Sequence, residues 1–467
     1  MRIVLVNTNL MKPPIAPIGL EYVAEAMVAR GHVVHLVDLC FADDPEAFLK
    51  ARLADTQPEL VGISIRNTDD CYFTGQRFFL PRIRGMVEVA RQSTVAPIVL
   101  GGVGYSVAPA AILDYLQADF GVLGEGEASL DLLTEALGAG GGFEGIPGLA
   151  YRLDGTTVVN APKYLDPASL PSRRRSLVDN ARYLAEGGQA GFETKRGCGM
   201  ACIYCADPVA KGRTWRLVPP KMVVEEIAAL FEQGIDHFHT CDSEFNLPAD
   251  HAVAVCEEII RAGFGQKIRW YAYCSPSPFT EEIAEVFVEA GCAGIDFGVD
   301  SGDDEVLGRL GRHFSCGQIR KTADICRRFG IHYMFDLLIG GPGETRESVL
   351  RTVDLMREID AERVGLAIGV RVYPGTRMAA IARASGAPLY GAADPDFLQP
   401  VFYVSGDLGT DAVGLVRSLV GDDARFFLPV AEEPGKNYNY DENLFLVEAI
   451  RSGCRGAYWD ILRRLAP

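Results

Sequence analysis

The chain has 467 residues, 48% hydrophobic and 23% charged, which is enough apolar content for two or three packed domains and too much for extended disorder. Its formal net charge of −17 disfavours a nucleic-acid partner, because such proteins carry a basic stripe and the only dense basic run is Arg173, Arg174 and Arg175. No segment approaches the ~18 consecutive apolar residues of a membrane span, and residues 1–7 read as a strand rather than a secretory leader, so a cytoplasmic location is expected.

Residues 1–138 alternate apolar runs (3–6, 33–39, 60–65 and 98–100) with amphipathic segments, which predicts a doubly wound parallel sheet. Ligands on such sheets bind beyond the strand C-termini. The residues just after the strands are therefore the useful ones: the proline-bearing loop 7–19, Ser64 with residues up to 70, Gly101, Gly102 and Gly104, and Glu125 in a Gly-Glu-Gly-Glu run. Residues 139–190 read as a linker with a small hairpin at 151–159, where Asp154 and Gly155 supply the turn. The Arg173–Arg175 run in that linker reads as solvated. Strand and helix periods resume at Gly191 and repeat about six times, over 192–195, 237–240, 268–273, 294–299, 333–339 and 366–372. A partial (β/α)6 barrel of the TIM type, spanning 191–384, places their C-terminal loops on one rim. Residues 385–467 form a small separate C-terminal region with a helical end at 442–465, read as a substrate-facing lid.

The loop after the first barrel strand holds Cys198, Cys202 and Cys205 within eight residues. Three thiolates this close repel one another unless a metal takes their charge, an odd number rules out complete disulfide pairing, and a tetrahedral zinc site lacks its fourth ligand. The spacing suits three irons of a cubane cluster with the fourth iron open. This CxxxCxxC run, with Tyr204 before the last cysteine, resembles the signature of the radical S-adenosylmethionine (SAM) superfamily. The resemblance implies a 4Fe-4S cluster that chelates SAM and cleaves it to a 5'-deoxyadenosyl radical. An open sheet directly ahead of such a core resembles the cobalamin-binding domain of the cobalamin-dependent radical SAM enzymes. By that resemblance Ser64 lines the cleft for the nucleotide tail, and Gly101 and Gly102 let the tail approach the backbone. The loop 7–19 has no histidine, which implies a cobalamin held without an imidazole ligand from the protein.

The same resemblance nominates further residues on the SAM side. Asp242 and Glu244 stand in an acidic turn after the second strand, read either as SAM or substrate contacts or as a helix N-terminal turn that favours acids. Asp300 and Ser301 match a Gly-x-Glu-Ser-Gly turn with the acid one methylene shorter. Gly340 and Gly341 match an adenine-side turn whose glycines let a flat ring approach, Tyr373 stands in another recurrent turn, and Tyr204 is expected beside the adenine. Tyr271, Tyr273 and Cys274 close the third strand, and Tyr273 and Cys274 are the candidates to pass a proton or hydrogen atom. His237, His239, His313 and His332 have no companion ligands and read as structural.

The implied reaction is methylation of an unactivated carbon in an organic small molecule, consuming two SAM, with methylcobalamin as donor and an external electron donor such as flavodoxin or ferredoxin. A cyclase or ring-rearrangement enzyme without net methylation, and a non-catalytic corrinoid-binding or sensory protein, are the alternatives. A methylthio-transfer enzyme needs three further N-terminal cysteines, and only Cys40 and Cys71 lie there.

Overall fold

The computed structural model describes residues 1–171, 173–428 and 443–465. Its N-terminal sheet is built from β1 (Arg2–Asn7), β2 (Val33–Asp38), β3 (Leu60–Ser64), β4 (Ile98–Gly101), β5 (Phe120–Val122), β6 (Leu149–Leu153) and β7 (Thr156–Val159). The order is β2-β1-β3-β4-β5-β6-β7, the first five parallel and the last two antiparallel. Because side chains alternate across a strand, Val4, Val6, Val61 and Ile63 enter one core with the helices Pro45–Thr56, Leu80–Ser93 and Pro109–Leu116. Ile3, Leu5, Leu60 and Val99 enter a second core with the helices Ile18–Ala29 and Gly126–Ala139. The strand order reverses between β1 and β3, which opens a crevice at the C-terminal edge. The hairpin expected in the linker is present, with positive φ at both Asp154 and Gly155. It is no linker ornament, however, since β6 pairs with β5 and extends the sheet.

The second sheet contains β8 (Ala190–Phe192), followed by a short ladder of β9 (Lys195–Arg196) and β10 (Arg216–Leu217), then β11 (His237–Thr240), β12 (Arg269–Cys274), β13 (Cys292–Asp300), β14 (His332–Ile339) and β15 (Arg363–Ile368). A three-stranded patch of β16 (Val370–Arg371), β17 (Leu389–Gly391) and β18 (Val401–Tyr403) follows, and β19 (Phe426–Phe427) returns to the barrel. The barrel order is β19-β15-β14-β13-β12-β11-β8, all parallel, an open arc rather than a closed ring. Phe238, Trp270, Ala272, Cys274, Ile295, Phe297 and Phe335 point outward into the layer shared with the helices. His239, Tyr273, Asp296, Gly298, Met334 and Asp336 point into the bore.

The C-terminal region is not separate from the barrel. β19 adds a seventh parallel strand beside β15, and the helix Ala412–Val420 packs on Arg346–Glu358. The helical end is two helices, Leu444–Arg451 and Tyr458–Leu465. The second closes the barrel at the N-terminal ends of its strands: Trp459 and Tyr458 share a core with Tyr271 and Met334, and the Tyr271 hydroxyl donates to Asp460 at 2.8 Å. A Cβ on Gly294 would lie 3.0 Å from the Trp459 ring, so glycine there makes room for the plug. The polar-aromatic stretch around Tyr438 and Tyr440 lies outside the described residues.

The arginine run is the largest departure from expectation. Arg175 is fully buried, Arg173 is nearly so, and both stitch the two domains together. Arg175 pairs with Glu21 of the N-terminal domain at 2.6 Å and Glu226 of the barrel at 2.7 Å, while Arg173 pairs with Glu226 at 3.1 Å and Glu193 at 2.9 Å. The Tyr22 hydroxyl donates to Glu226, and the Arg173 guanidinium stacks 3.9 Å from the Tyr22 ring centroid. Charged side chains are buried here because each finds its partner, a condition that a run of like charges in sequence cannot reveal.

Candidate functional site

The cysteine loop is pinned at both ends by backbone contacts that only glycine permits. Gly197 has φ +79° and a Cβ there would sit 2.3 Å from the Thr214 carbonyl, while a Cβ on Gly311 would sit 2.4 Å from the Ala201 carbonyl. Cys198 N donates to Gly212 O and Ile203 N to Leu310 O, each at 3.0 Å. Cys198, Cys202 and Cys205 are unpaired thiols lining one cavity of about 790 Å³. Burial, the first cause at each, pushes the Cys198 thiol up to about 11 and raises Cys202 and Cys205 as well. Such thiols ionise readily only with a cation to receive the charge. Among the described residues no three His, Cys, Asp or Glu side chains converge as around a single metal ion. A cubane spreads its thiolates over separate corners, so this donor set fits a 4Fe-4S cluster.

Arg312, which sequence reasoning did not single out, organises the wall beside the cysteines. Its Nη1 donates to Cys202 Sγ at 3.0 Å, and its guanidinium lies 3.3 Å from Asp300 and 3.5 Å from Glu244. The Nε is close to Asp300 but off the hydrogen-bonding line, leaving it without a partner. The Tyr204 hydroxyl donates to Asp300 Oδ2. Asp300 has φ +65°, at the point where the β13–β14 register slips, and this local strain turns its carboxylate into the cavity. Burial pushes the Glu244 carboxyl up to about 7 against the pull of Arg312, and its Oε2 has no partner. A weak sequence signal for Arg312 exists: it is a lone cation two residues past the helix Asp304–Leu310 that follows the Asp300–Ser301 turn.

A second cavity of about 310 Å³ lies at the edge of the N-terminal sheet. Ser64, Gly101, Gly102, Gly124 and Glu125 line it, and the barrel contributes Arg196 and Arg216 to the facing wall. Nothing lies within 4 Å of a Cβ built on Gly101, whereas one on Gly102 would meet the Ile65 carbonyl at 2.5 Å. An open, mostly apolar slot beside bare backbone fits the nucleotide tail of a cobalamin. Ala16, Ile18, Arg66, Val103, Cys241 and Ser243 line both cavities, so the slot leads to the cysteine loop.

Several nominated residues lie outside the cavities or are already paired with protein groups. Cys274 is fully buried on the outer face of β12; strand alternation puts it opposite Tyr273, which does line the cavity. Asp242 reaches the cavity wall, but its oxygens are taken by Thr194 and Lys195, clamping the start of β9 to the loop after β11. Ser301 bonds Thr352 and Asp303 N in the core. Gly340 and Gly341 donate to the Glu344 carboxylate, Cβ atoms there would meet Gly369 at 3.4 Å and Leu310 at 2.9 Å, and neither glycine lines the cavity of the cysteine loop. Tyr373 bonds Cys71 Sγ at 2.7 Å as a bridge between domains. Gly104 is packed on the Arg66 backbone, and Glu125 is paired with Arg216 at 2.6 Å while accepting from Leu165 N.

Residues 5–134 match the B12 binding domain family and residues 192–356 the Radical SAM superfamily. The chain is 34% identical over 435 residues to the tryptophan 2-C-methyltransferase of Streptomyces laurentii, covering 80% of this chain and 73% of that one. It is 28% identical to an uncharacterised methyltransferase of Pyrococcus horikoshii, covering 78% and 77%. The solved structure of the radical SAM methyltransferase TsrM from Kitasatospora setae, with tryptophan and a SAM analogue bound, superposes with a TM-score of 0.91 at 32% identity, covering 99% of this chain and 97% of that one. The same protein with cobalamin and a [4Fe-4S] cluster gives 0.89 at 30% identity, with the same coverage. The chain belongs to the cobalamin-dependent radical SAM methyltransferases. It is an enzyme whose cofactors are a 4Fe-4S cluster, SAM and cobalamin, acting on a small molecule, and no helix among the described residues is long and apolar enough to cross a membrane.

Proposed function

We propose that this enzyme methylates a ring carbon of a flat aromatic substrate of the tryptophan type. The observation that carries the reading is one continuous cavity: the cysteine loop and Arg312 at the rim, the mouth of the corrin slot on one side, and a barrel bore walled by His239, Tyr273 and Met334 and floored by Trp459. The likeness to a tryptophan methyltransferase and to a tryptophan-bound structure supports it.

Cys198, Cys202 and Cys205 would hold the cluster, with Arg312 donating to the Cys202 sulfur to keep it anionic. Ser64, Gly101 and Gly102 would admit the corrin tail. Glu244, Asp300 and Tyr204 face the space where SAM would lie, and Asp300 is oriented there by Tyr204 and Arg312. When bound, the cofactors supply a methyl carrier and an electron store. The protein's contribution is to position the substrate ring and exclude water, and Tyr273, tilted against His239 with ring centroids 4.8 Å apart, is placed to pack against that ring. A soluble electron donor of the flavodoxin or ferredoxin class, in a cytoplasmic setting, would serve the site.

The test is turnover of the anaerobically reconstituted enzyme with methyl-labelled SAM and tryptophan. Label in a methylated indole, with S-adenosylhomocysteine as co-product, is the expected result. Label trapped on cobalamin, with indoles left unmodified and other aromatic amino acids also unreactive, would overturn the substrate class.

A further inference from the structure

The barrel bore holds a carboxylate, Asp296, that its own cations do not satisfy. Asp296 on β13 and Asp336 on β14 both face the cavity, with Gly298 and Asp336 paired in the ladder, so Asp336 stands one inward step above Asp296 on the neighbouring strand. Asp296 is 4% exposed, its Oδ1 has no hydrogen-bond partner, and it forms no ion pair among the described residues. Burial, then Asp336, then Glu244 push its carboxyl well above the usual range. The cations that line the cavity are committed elsewhere: Arg312 to Cys202, Asp300, Glu244 and Gly298 O, and Lys211 to Asp207 at 3.0 Å. Arg66, the third, stands at the mouth of the corrin slot.

A second observation is independent of the acids. The indole Nε1 of Trp459, on the cavity floor and 4% exposed, is a buried donor without a partner. Leaving a buried polar group unpaired costs about 1–3 kcal/mol, so each such group calls for a partner that the protein itself does not supply. One cavity thus presents an unfilled acceptor and an unfilled donor, the complement of a ligand carrying a cationic donor and an acceptor. The Tyr273 and His239 rings beside them suit an aromatic body.

We propose that Asp296, with Asp336 beside it, is the subsite for the ammonium group of the substrate, so that the enzyme takes aromatic compounds with a free aliphatic amine and rejects those that lack it. The inference rests on the aromatic-substrate reading above and narrows it to amines. A buried carboxyl that holds a proton beside other acids can release it when an ammonium arrives, which makes the binding of the cation selective over a neutral group of the same shape.

The experiment measures binding by calorimetry to the reconstituted holoenzyme for two matched pairs, tryptamine against 3-ethylindole and phenethylamine against ethylbenzene, together with methylation of the indoles. The wild type is expected to bind each amine at least about tenfold more tightly than its partner. Asp296→Asn, nearly isosteric, is expected to erase that preference while leaving affinity for 3-ethylindole and the iron content unchanged, and Asp336→Asn is expected to weaken it. An amine preference that survives in Asp296→Asn, or no preference in the wild type, overturns the subsite. Should Asp296→Asn fail to fold, an undiminished amine preference in Asp336→Asn on both the indole and the phenyl scaffold overturns it equally. Amine preference without indole methylation would sink the tryptophan-type reading alone, and indole methylation without amine preference would sink the subsite alone.

Discussion

The clamp between the domains and the barrel bore are both buried networks of arginines and carboxylates, and they differ in whether their valences are filled. In the clamp between the domains, Arg173 and Arg175 meet Glu21, Glu193 and Glu226, and the remaining donors reach Gly191 O and Asn180. In the bore, one arginine, Arg312, faces Asp300 and Glu244 with Asp296 and Asp336 below, and Glu244 Oε2, Asp296 Oδ1 and Arg312 Nε are left without partners. A closed network acts as glue. An open one, in a cavity this size, has room for ligands that would complete it.

The sharpest way to break the open network is Cys202→Ala. It removes one proposed cluster ligand and the acceptor of Arg312, and both the broad absorbance of the reconstituted cluster and methyl transfer are expected to vanish. Retained methyl transfer would show that the loop is not the cluster site. On the closed side, Glu226→Ala leaves two buried guanidiniums short of a partner, and a loss of about 3–5 kcal/mol is expected in chemical denaturation, with the domains unfolding separately. An unchanged midpoint would mean the clamp adds nothing.

A smaller effect concerns Glu344, which closes the turn after β14. Burial pushes its carboxyl up from the usual 4.5 to about 7, against the pull of the Gly340 and Gly341 amides, and its Oε1 has no partner. In the window between those values the folded state holds a proton that the unfolded state has released. Stability contributed by this group is therefore full below the lower value and falls as pH rises toward 7. Glu344→Gln should flatten that slope in urea titrations of the cofactor-free protein, and an identical slope in the variant would assign it to other groups. The mildest change is Gly101→Val, which meets open space and should leave the fold and iron content intact while weakening corrinoid binding about tenfold or more.

The contrast also explains what sequence made legible. The parallel strands were readable because their hydrophobic runs are local, and the three cysteines because cluster chemistry imposes a local spacing. Arg173 and Arg175 were misread because burial of a charge depends on partners 50 to 150 residues away, such as Glu226 and Glu21. Cys274 was misplaced by one step of strand alternation. Gly340 and Gly341 match a ligand-facing pattern yet face Gly369 and Leu310, since the need for a small residue does not say what approaches it. Arg312 and Asp296 left almost no trace, because their roles arise only where the loop after β13 and the bore of the barrel meet the cysteine loop. The seventh strand, only two residues long, carries no periodic signal at all.

The account's central claim is that one cavity joins a cluster, a corrin and an aromatic substrate. Its most direct test is iron, sulfide and cobalt content read on one anaerobically reconstituted sample that is then given methyl-labelled SAM and tryptophan. About four irons with about one cobalt per chain, and label in the indole product, is the predicted result. Four irons without cobalt in the presence of supplied corrinoid, or full cofactor loading with no label leaving SAM, would contradict it.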